Sequence, residues 1–287
     1  MLGTVVICAY NRPAFLKICL DYICKADMAD EMQYVFCLDY GFDARCLKVI
    51  NDFPLTKAIS KRTYHILGDG KQSNNVLTGL YNASQYKLPV FYIEDDVFIG
   101  KDFFTFGLEI MAKEPKVLCA ILSKNHNHND NPPADLNGYY VKKITNEYQG
   151  IGSVFNPALF TRYITPHVVP DYFMRIRDYC KTHFPSSVLG SDYSEQDGLI
   201  RRIIEANYLP VAFSCVPRCF HAGFFGYHRS FAPHIKNMHI DKQVEHIKGI
   251  AFNVDQLRAV VKRENLVQDS LPCDLLTEHT GCEKIVL

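Results

Sequence analysis

At 287 residues, with 48% hydrophobic and 22% charged side chains, the chain has ordinary globular composition and is long enough to bury a sizeable core in one large domain or two small ones. Its 31 basic and 31 acidic residues cancel, which excludes a global field drawing it to nucleic acid or an anionic membrane and leaves only a local basic groove. No run approaches the roughly 20 apolar residues that span a bilayer, and the N-terminus enters a strand pattern directly, so a soluble, unprocessed, cytoplasmic chain of bacterial or viral type is expected.

The run Thr4-Val5-Val6-Ile7-Cys8-Ala9 is apolar without alternation, the mark of a strand covered on both faces in a parallel sheet. Tyr10-Asn11-Arg12-Pro13 stops it, and a helical stripe follows at Phe15, Ile18, Cys19, Tyr22 and Ile23. Residues 33–38 give the next strand, with Asp39-Tyr40-Gly41 as its exit. A helix over 44–52 then leads to a third strand over 63–67. Gly68-Asp69-Gly70 precedes a helix carrying Val76, Leu77, Leu80 and Tyr81, and the strand Pro89 to Ile93 follows. Strands and helices alternating over short connections predict a parallel, doubly wound α/β sheet, in which ligands lie beyond the carboxyl ends of the strands. Arg12, Asp39 and the triplet Glu94-Asp95-Asp96 all fall at those ends, although strand ends in any α/β protein carry polar residues.

The triplet is the least comfortable stretch. Adjacent carboxylates at the rim of a core repel one another and lose hydration unless a cation or hydrogen-bond donors compensate them. Oxygen ligands suit Mg²⁺ or Mn²⁺ shared with substrate phosphates, which makes a metal-diphosphate site one reading. The other is an acidic loop that caps the next helix, since Gly100-Lys101-Asp102 precedes a helical pattern from Phe103 to Met111. No glycine-rich dinucleotide or Walker pattern follows the first strand.

Further along, the asparagine-rich stretch 125–133 reads as loop, with His126 and His128 as a weak metal-ligand pair. Residues 148–153 form a segment, containing Gly150 and Gly152, that is either a plain turn or a place of close substrate approach. Ser194, Glu195 and Asp197 open a helix over 198–207, where they either cap it or supply a carboxylate that takes a proton from an acceptor hydroxyl. Pro217 to Arg229, with two glycines, several aromatics, His221, His228 and Arg229, reads as a lid able to meet phosphate or metal. Eleven cysteines without a Cys-x-x-Cys pair, several inside apolar runs, point to buried reduced thiols rather than a disulfide framework.

Four parts of the chain together resemble glycosyltransferases of the GT-A fold: Cys8-Ala9-Tyr10-Asn11-Arg12-Pro13 with Cys19-Leu20-Asp21, Leu38-Asp39-Tyr40-Gly41, Ile93-Glu94-Asp95-Asp96-Val97 through Phe104, and Pro217-Arg218 to Gly226. More narrowly they resemble the N-acetylglucosaminyltransferase family that starts complex N-glycan branching. The resemblance implies a Rossmann-like, doubly wound, mostly parallel sheet with helices on both faces. It also implies a catalytic domain over 1–232, with a donor-binding half to about 122 and an acceptor-side half beyond it, followed by a helical extension over 233–287. By the same resemblance Ala9, Tyr10, Arg12, Asp39, Glu94, Asp95, His228 and Arg229 bind a UDP-sugar, with Asp39 at the uracil. Asp96 and His221 hold Mn²⁺ or Mg²⁺, the triplet standing where the family has its D-x-D-like motif. Asp197, with Glu195 as second choice, is the base of an inverting transfer. The chain departs from the narrower family in having no tryptophan and no anchor segment.

The acceptor is a hydroxyl of a glycan or of a hydroxylated nucleobase in DNA, for which Arg201, Arg202, Arg229, Lys236 and Lys242 offer a local patch. The alternatives are an α/β nucleotidyltransferase, of whose basic glycine-rich loop Ala9-Tyr10-Asn11-Arg12 is a poor version, and a nucleotide-sugar or glycan-binding module without a base.

Overall fold

A strand with no polar alternation must be covered on both faces, and β1 (Gly3–Ala9) is buried at every position. The computed structural model describes residues 1–39, 41–55, 59–64, 71–123, 138–143, 145, 147–190 and 195–221, with backbone alone at 59–64 and 71. After β1 come α1 (Pro13–Lys25), β2 (Met32–Asp39), α2 (Ala44–Asn51), β3 (Ile59–Tyr64), α3 (Lys71–Ser84), β4 (Val90–Glu94), β5 (Val97–Ile99) and α4 (Phe103–Lys113). The second half holds β6 (Cys119–Ile121), β7 (Tyr139–Lys142), β8 (Ser153–Phe155), the single turn α5 (Pro157–Leu159), α6 (Pro170–Met174), α7 (Ile176–His183), α8 (Gln196–Asn207), β9 (Val211–Ser214) and β10 (Cys219–His221).

Eight strands form one sheet in the order β3-β2-β1-β4-β8-β6-β9-β7, and β5 pairs with β10 in a separate ribbon. β3, β2, β1 and β4 are mutually parallel, and so are β6 and β9. β8 and β7 run against their neighbours. The period of two along each strand divides the core cleanly. Val5, Ile7, Phe36, Phe91 and Ile93 pack against α1, α2 and α4. Val6, Cys8, Val35, Cys37 and Tyr92 pack against α3, α6, α7 and α8. Phe91, Phe103 and Phe104 form a triangle with centroids 5.1–5.7 Å apart, seating α4 on β4.

The third strand begins at Ile59, earlier than the run 63–67 predicts, and residues 65–70 lie outside the described residues. β3 is the edge of the sheet, where polar positions such as Lys61 and Arg62 are tolerated, so an apolar run was the wrong signal. The helix expected over 198–207 likewise starts earlier, at Gln196, which puts Asp197 inside its first turn. The extension expected over 233–287 lies outside the described residues. Among the described residues nine cysteines are free thiols, all buried but Cys24, and burial raises the thiol pKa at Cys19, Cys119 and Cys219, so these are packing residues. No described helix is long and apolar enough to cross a membrane.

Arg218, read from the sequence as the start of a lid, belongs to the framework. Its side chain is fully buried, with the guanidinium 4.2 Å from the Phe106 ring centroid and Nε 3.1 Å from Asp102. Its backbone carbonyl accepts from Gly100 N–H at 2.7 Å, and its N–H donates to Leu122 at 2.7 Å. Removing one member of a buried ion pair strands the other charge. Arg218→Ala is expected to cost about 3–5 kcal/mol in urea unfolding. A loss below about 1 kcal/mol would contradict a framework role.

Candidate functional site

β4 ends at Glu94, Asp95 and Asp96 form a two-residue turn, and β5 continues from it. The acidic triplet is therefore separated from α4 by a strand, and α4 has Asp102 as its N-cap, so the helix-capping reading of the triplet does not hold. The Asp95 N–H donates to the Cys8 carbonyl at 3.1 Å, tying the turn to the end of β1. β10 pairs with β5 with His221 opposite Val97, and this register brings His221 Nε2 to 3.1 Å from Asp96 Oδ2. From the other side, Arg12, the N-cap of α1, places Nη1 2.5 Å from the same oxygen and pairs through Nη2 with Asp95.

Asp95 and Asp96 are each only 2% exposed, so their charge is set by these partners. Burial, reinforced by Asp96, pushes Glu94 up to about 7, against the pull of His221 and of the Tyr92 hydroxyl, which donates to Glu94 Oε1 at 2.9 Å. Burial also outweighs Arg12 at Asp95 and raises it to about 6. At Asp96 burial is overcome by His221 and Arg12, which hold the carboxyl well below the usual range. Negative charge is thus concentrated on Asp96. Its Oδ1 is buried and makes no hydrogen bond to a described residue, and the same holds for Asp95 Oδ2.

Unengaged buried carboxylate oxygens are costly and point to an absent partner. Glu94, Asp96 and His221 each offer a ligand atom, and these atoms lie within 4.8 Å of one another. Two carboxylates and an imidazole fit Mn²⁺ or Mg²⁺.

Asp197 lies in the first turn of α8, which packs on the sheet face of Val6, Cys8 and Tyr92. Burial raises it to about 6, against the Gly150 backbone N–H and Arg201, and its Oδ1 has no hydrogen-bond partner among the described residues. A Cβ on Gly150 would stand 2.6 Å from that Oδ1 and 3.2 Å from the Tyr92 ring, so glycine is needed for the carboxylate to fit. Gly152, at φ +61°, occupies the left-handed region beside Cys219. The segment 148–153 thus makes room for protein side chains. Asp197 also raises Glu94, so the two carboxyls sense one another.

Of the other predicted site residues, Ala9 ends β1, Tyr10 follows it half-exposed, and Asp39 ends β2 one strand over. Gly41, at φ +78°, turns the chain beneath the Tyr10 hydroxyl, and Asp43 N–H donates to the Tyr10 carbonyl at 2.9 Å. Glu195 is the exposed N-cap of α8 and makes no side-chain cap. His228, Arg229 and the rest of the expected lid beyond His221 lie outside the described residues, as do His126 and His128. Arg202 is buried and donates to Gly198, Leu189 and Gly190 carbonyls, which removes it from the basic patch. Arg229, Lys236 and Lys242 lie outside the described residues. Sequence reasoning missed Tyr92 as the donor to Glu94, although residues two apart on a strand share a face. It also missed Gly150 as the neighbour of Asp197, which nothing local could reveal.

No protein-family model matches the chain, and no curated protein matches it. Solved structures do. S. aureus TarS 1–349 in complex with UDP-GlcNAc superimposes with a TM-score of 0.52 at 14% identity, over 94% of this chain and 69% of that one. The chain has a GT-A fold. The same TarS fragment in complex with UDP gives a TM-score of 0.50 at 11% identity, over 91% and 70%. A mannosyltransferase of Pyrobaculum calidifontis in complex with GDP-Man and Mn²⁺ gives 0.46 at 15%, over 90% of this chain and 64% of its own. The chain therefore spans about two thirds of the length of these proteins, and slightly less of the last. In this GT-A sheet the triplet sits at the carboxyl end of β4, beside β1, where open α/β sheets take their ligands.

The raised pKa of Asp197 has a measurable sign. Its carboxyl ionises near 3.8 when unfolded and about 6 when folded, so between those values the folded state binds more protons. Its effect on stability is therefore a loss that develops as pH rises from about 4 to 6 and is complete above. Asp197→Asn removes this loss, so the variant is expected to gain up to about 3 kcal/mol over wild type at pH 8 and little at pH 4. Equal differences at both pH values in denaturant titrations would contradict a buried, destabilised carboxylate.

Proposed function

We propose that the chain is a metal-dependent glycosyltransferase that moves a sugar from a UDP-sugar to an acceptor hydroxyl with inversion. The observation that carries this reading is the convergence of Glu94, Asp96 and His221 at a strand end of a GT-A sheet, with an unengaged buried oxygen on Asp96. A second carboxylate, Asp197, stands apart from it in a dry setting. Asp96 and His221 would hold Mn²⁺ or Mg²⁺, and Arg12 and Glu94 would face the donor. A bound cation would supply neutralisation of the diphosphate as it leaves.

The remaining work falls to side chains. Asp197 would take the proton of the acceptor hydroxyl, whose oxygen attacks the anomeric carbon as the bond to the UDP oxygen breaks. A pKa of about 6 suits that task near neutrality, since the group is ionised yet still basic. Arg12, already paired with Asp95 and Asp96, would stabilise negative charge gathering on the phosphates. Tyr92 and Tyr148, both buried, would line a wall that keeps water from the sugar. The narrower N-acetylglucosaminyl reading draws support from the family resemblance and from UDP-GlcNAc being the ligand of one neighbour. Glycans are the favoured acceptor, since Arg202 is withdrawn from the patch that DNA would need.

The test is turnover of a panel of UDP-sugars with Mn²⁺, with and without simple glycan acceptors. Wild type is expected to transfer one sugar and to leak it slowly to water in the acceptor's absence. Asp197→Asn is expected to lower transfer by about 10²–10⁴-fold while still binding donor. No turnover of any donor would favour a binding module, and full transfer by Asp197→Asn would remove Asp197 as the base.

A further inference from the structure

The start of α8 is not held by its own N-cap. Glu195 is exposed and its side chain caps nothing, yet Gln196, the next residue, is only 6% exposed. An acceptor for the first helical N–H comes from α3, 123 residues earlier in the chain: Gln196 N–H donates to Ser73 Oγ at 3.0 Å. The Ser73 hydroxyl in turn donates to Gln196 Oε1 at 3.0 Å. Tyr172, fully buried, makes a further side-chain hydrogen bond with Ser73. One hydroxyl donor and two acceptor sites are all that a serine has, and here all three are used in a buried setting.

Two residues further along the same turn, Asn75 Nδ2 donates to the Cys37 carbonyl at 3.2 Å, near the end of β2 where Asp39 stands. The first turn of α3 therefore grips the donor side of the sheet with one side chain and the start of α8 with another. Asp197 is the residue directly after Gln196. Its carboxylate meets the Gly150 backbone N–H and its Oδ1 has no hydrogen-bond partner among the described residues, so the group's place follows from where the helix begins and from Gly150.

We propose that Ser73 is a positioning residue: by capping α8 from α3 it sets Asp197 against the donor-binding strand ends. The inference rests on the glycosyl-transfer reading above for its functional consequence, and on geometry alone for the latch itself. Ser73→Ala removes one oxygen atom and adds no bulk. Its effect on the helix start is read by amide hydrogen exchange at Gln196 to Leu199, and its effect on chemistry by the kcat and donor KM of transfer.

Exchange at these amides is expected to quicken about tenfold, the loss of one helix cap. The kcat is expected to fall about tenfold or more, because small misplacements of a catalytic group are costly, with donor KM and Mn²⁺-dependent UDP binding within twofold of wild type. Gln196→Met, which deletes the side-chain arm of the latch alone, is expected to show a smaller fall of the same kind, and the double variant no more than Ser73→Ala. Gln196→Met also carries the test if Ser73→Ala does not fold. Unchanged exchange overturns the latch. Quickened exchange with unchanged kcat, or donor binding that falls in step with kcat, overturns the positioning role. A wild-type chain that transfers no sugar removes the glycosyl-transfer reading instead, and the exchange result then decides the latch by itself.

Discussion

Three consecutive carboxylates at the buried end of β4 are the constraint to which the strand ends are built. Such a cluster is costly at a core edge without countercharge or hydrogen-bond partners beside it, and the fold brings two side chains to it. Arg12 is delivered by the break between β1 and α1, where Pro13 starts a helix as soon as the strand leaves the sheet. His221 is delivered by a short antiparallel ribbon whose register sets it opposite Val97, directly after Asp96. The buried Arg218–Asp102 pair beneath that ribbon anchors it to α4. Each of these features would be unexplained decoration in a protein whose β4 ended in neutral residues.

The result is an uneven distribution of charge. Asp96 remains ionised between Arg12 and His221, while burial lifts Glu94 to about 7 and Asp197 to about 6. Carboxyls raised toward neutrality at Glu94, Asp95 and Asp197 beside one strongly acidic carboxyl at Asp96 are the pattern expected where one group holds a cation and another handles a proton. It also costs stability, because desolvated carboxylates oppose folding above their raised pKa. The compensation lies in packing: the apolar runs of β1, β2 and β4 are buried on both faces, and the aromatic triangle of Phe91, Phe103 and Phe104 seats the helix behind the acidic turn.

Much of this was legible in the sequence because it is local. Unbroken apolar runs announce strands buried on both faces, and an acidic triplet between apolar residues announces an unusual demand for countercharge. What was not legible depends on register or on tertiary contact. β3 carries lysine and arginine because it is an edge strand, so its apolar pattern is weak and its predicted position too late. The start of α8 was placed two residues late because its cap belongs to Ser73, far away in sequence. Arg218 falls in the stretch that reads as a lid because glycines and aromatics follow it, and its pairing with Asp102 at the start of α4 is a tertiary contact that no local pattern reveals. His221 next to Asp96 follows from the pairing of β10 with β5, which no spacing reveals.

The central claim is that the acidic turn is a cation site serving a nucleotide diphosphate. The most direct measurement is calorimetric titration of UDP into the protein, with and without Mn²⁺, for wild type and Asp96→Ala. The account predicts UDP binding that requires Mn²⁺ in wild type and is lost in Asp96→Ala, while the variant remains folded by circular dichroism. Metal-independent UDP binding that persists in Asp96→Ala would contradict it.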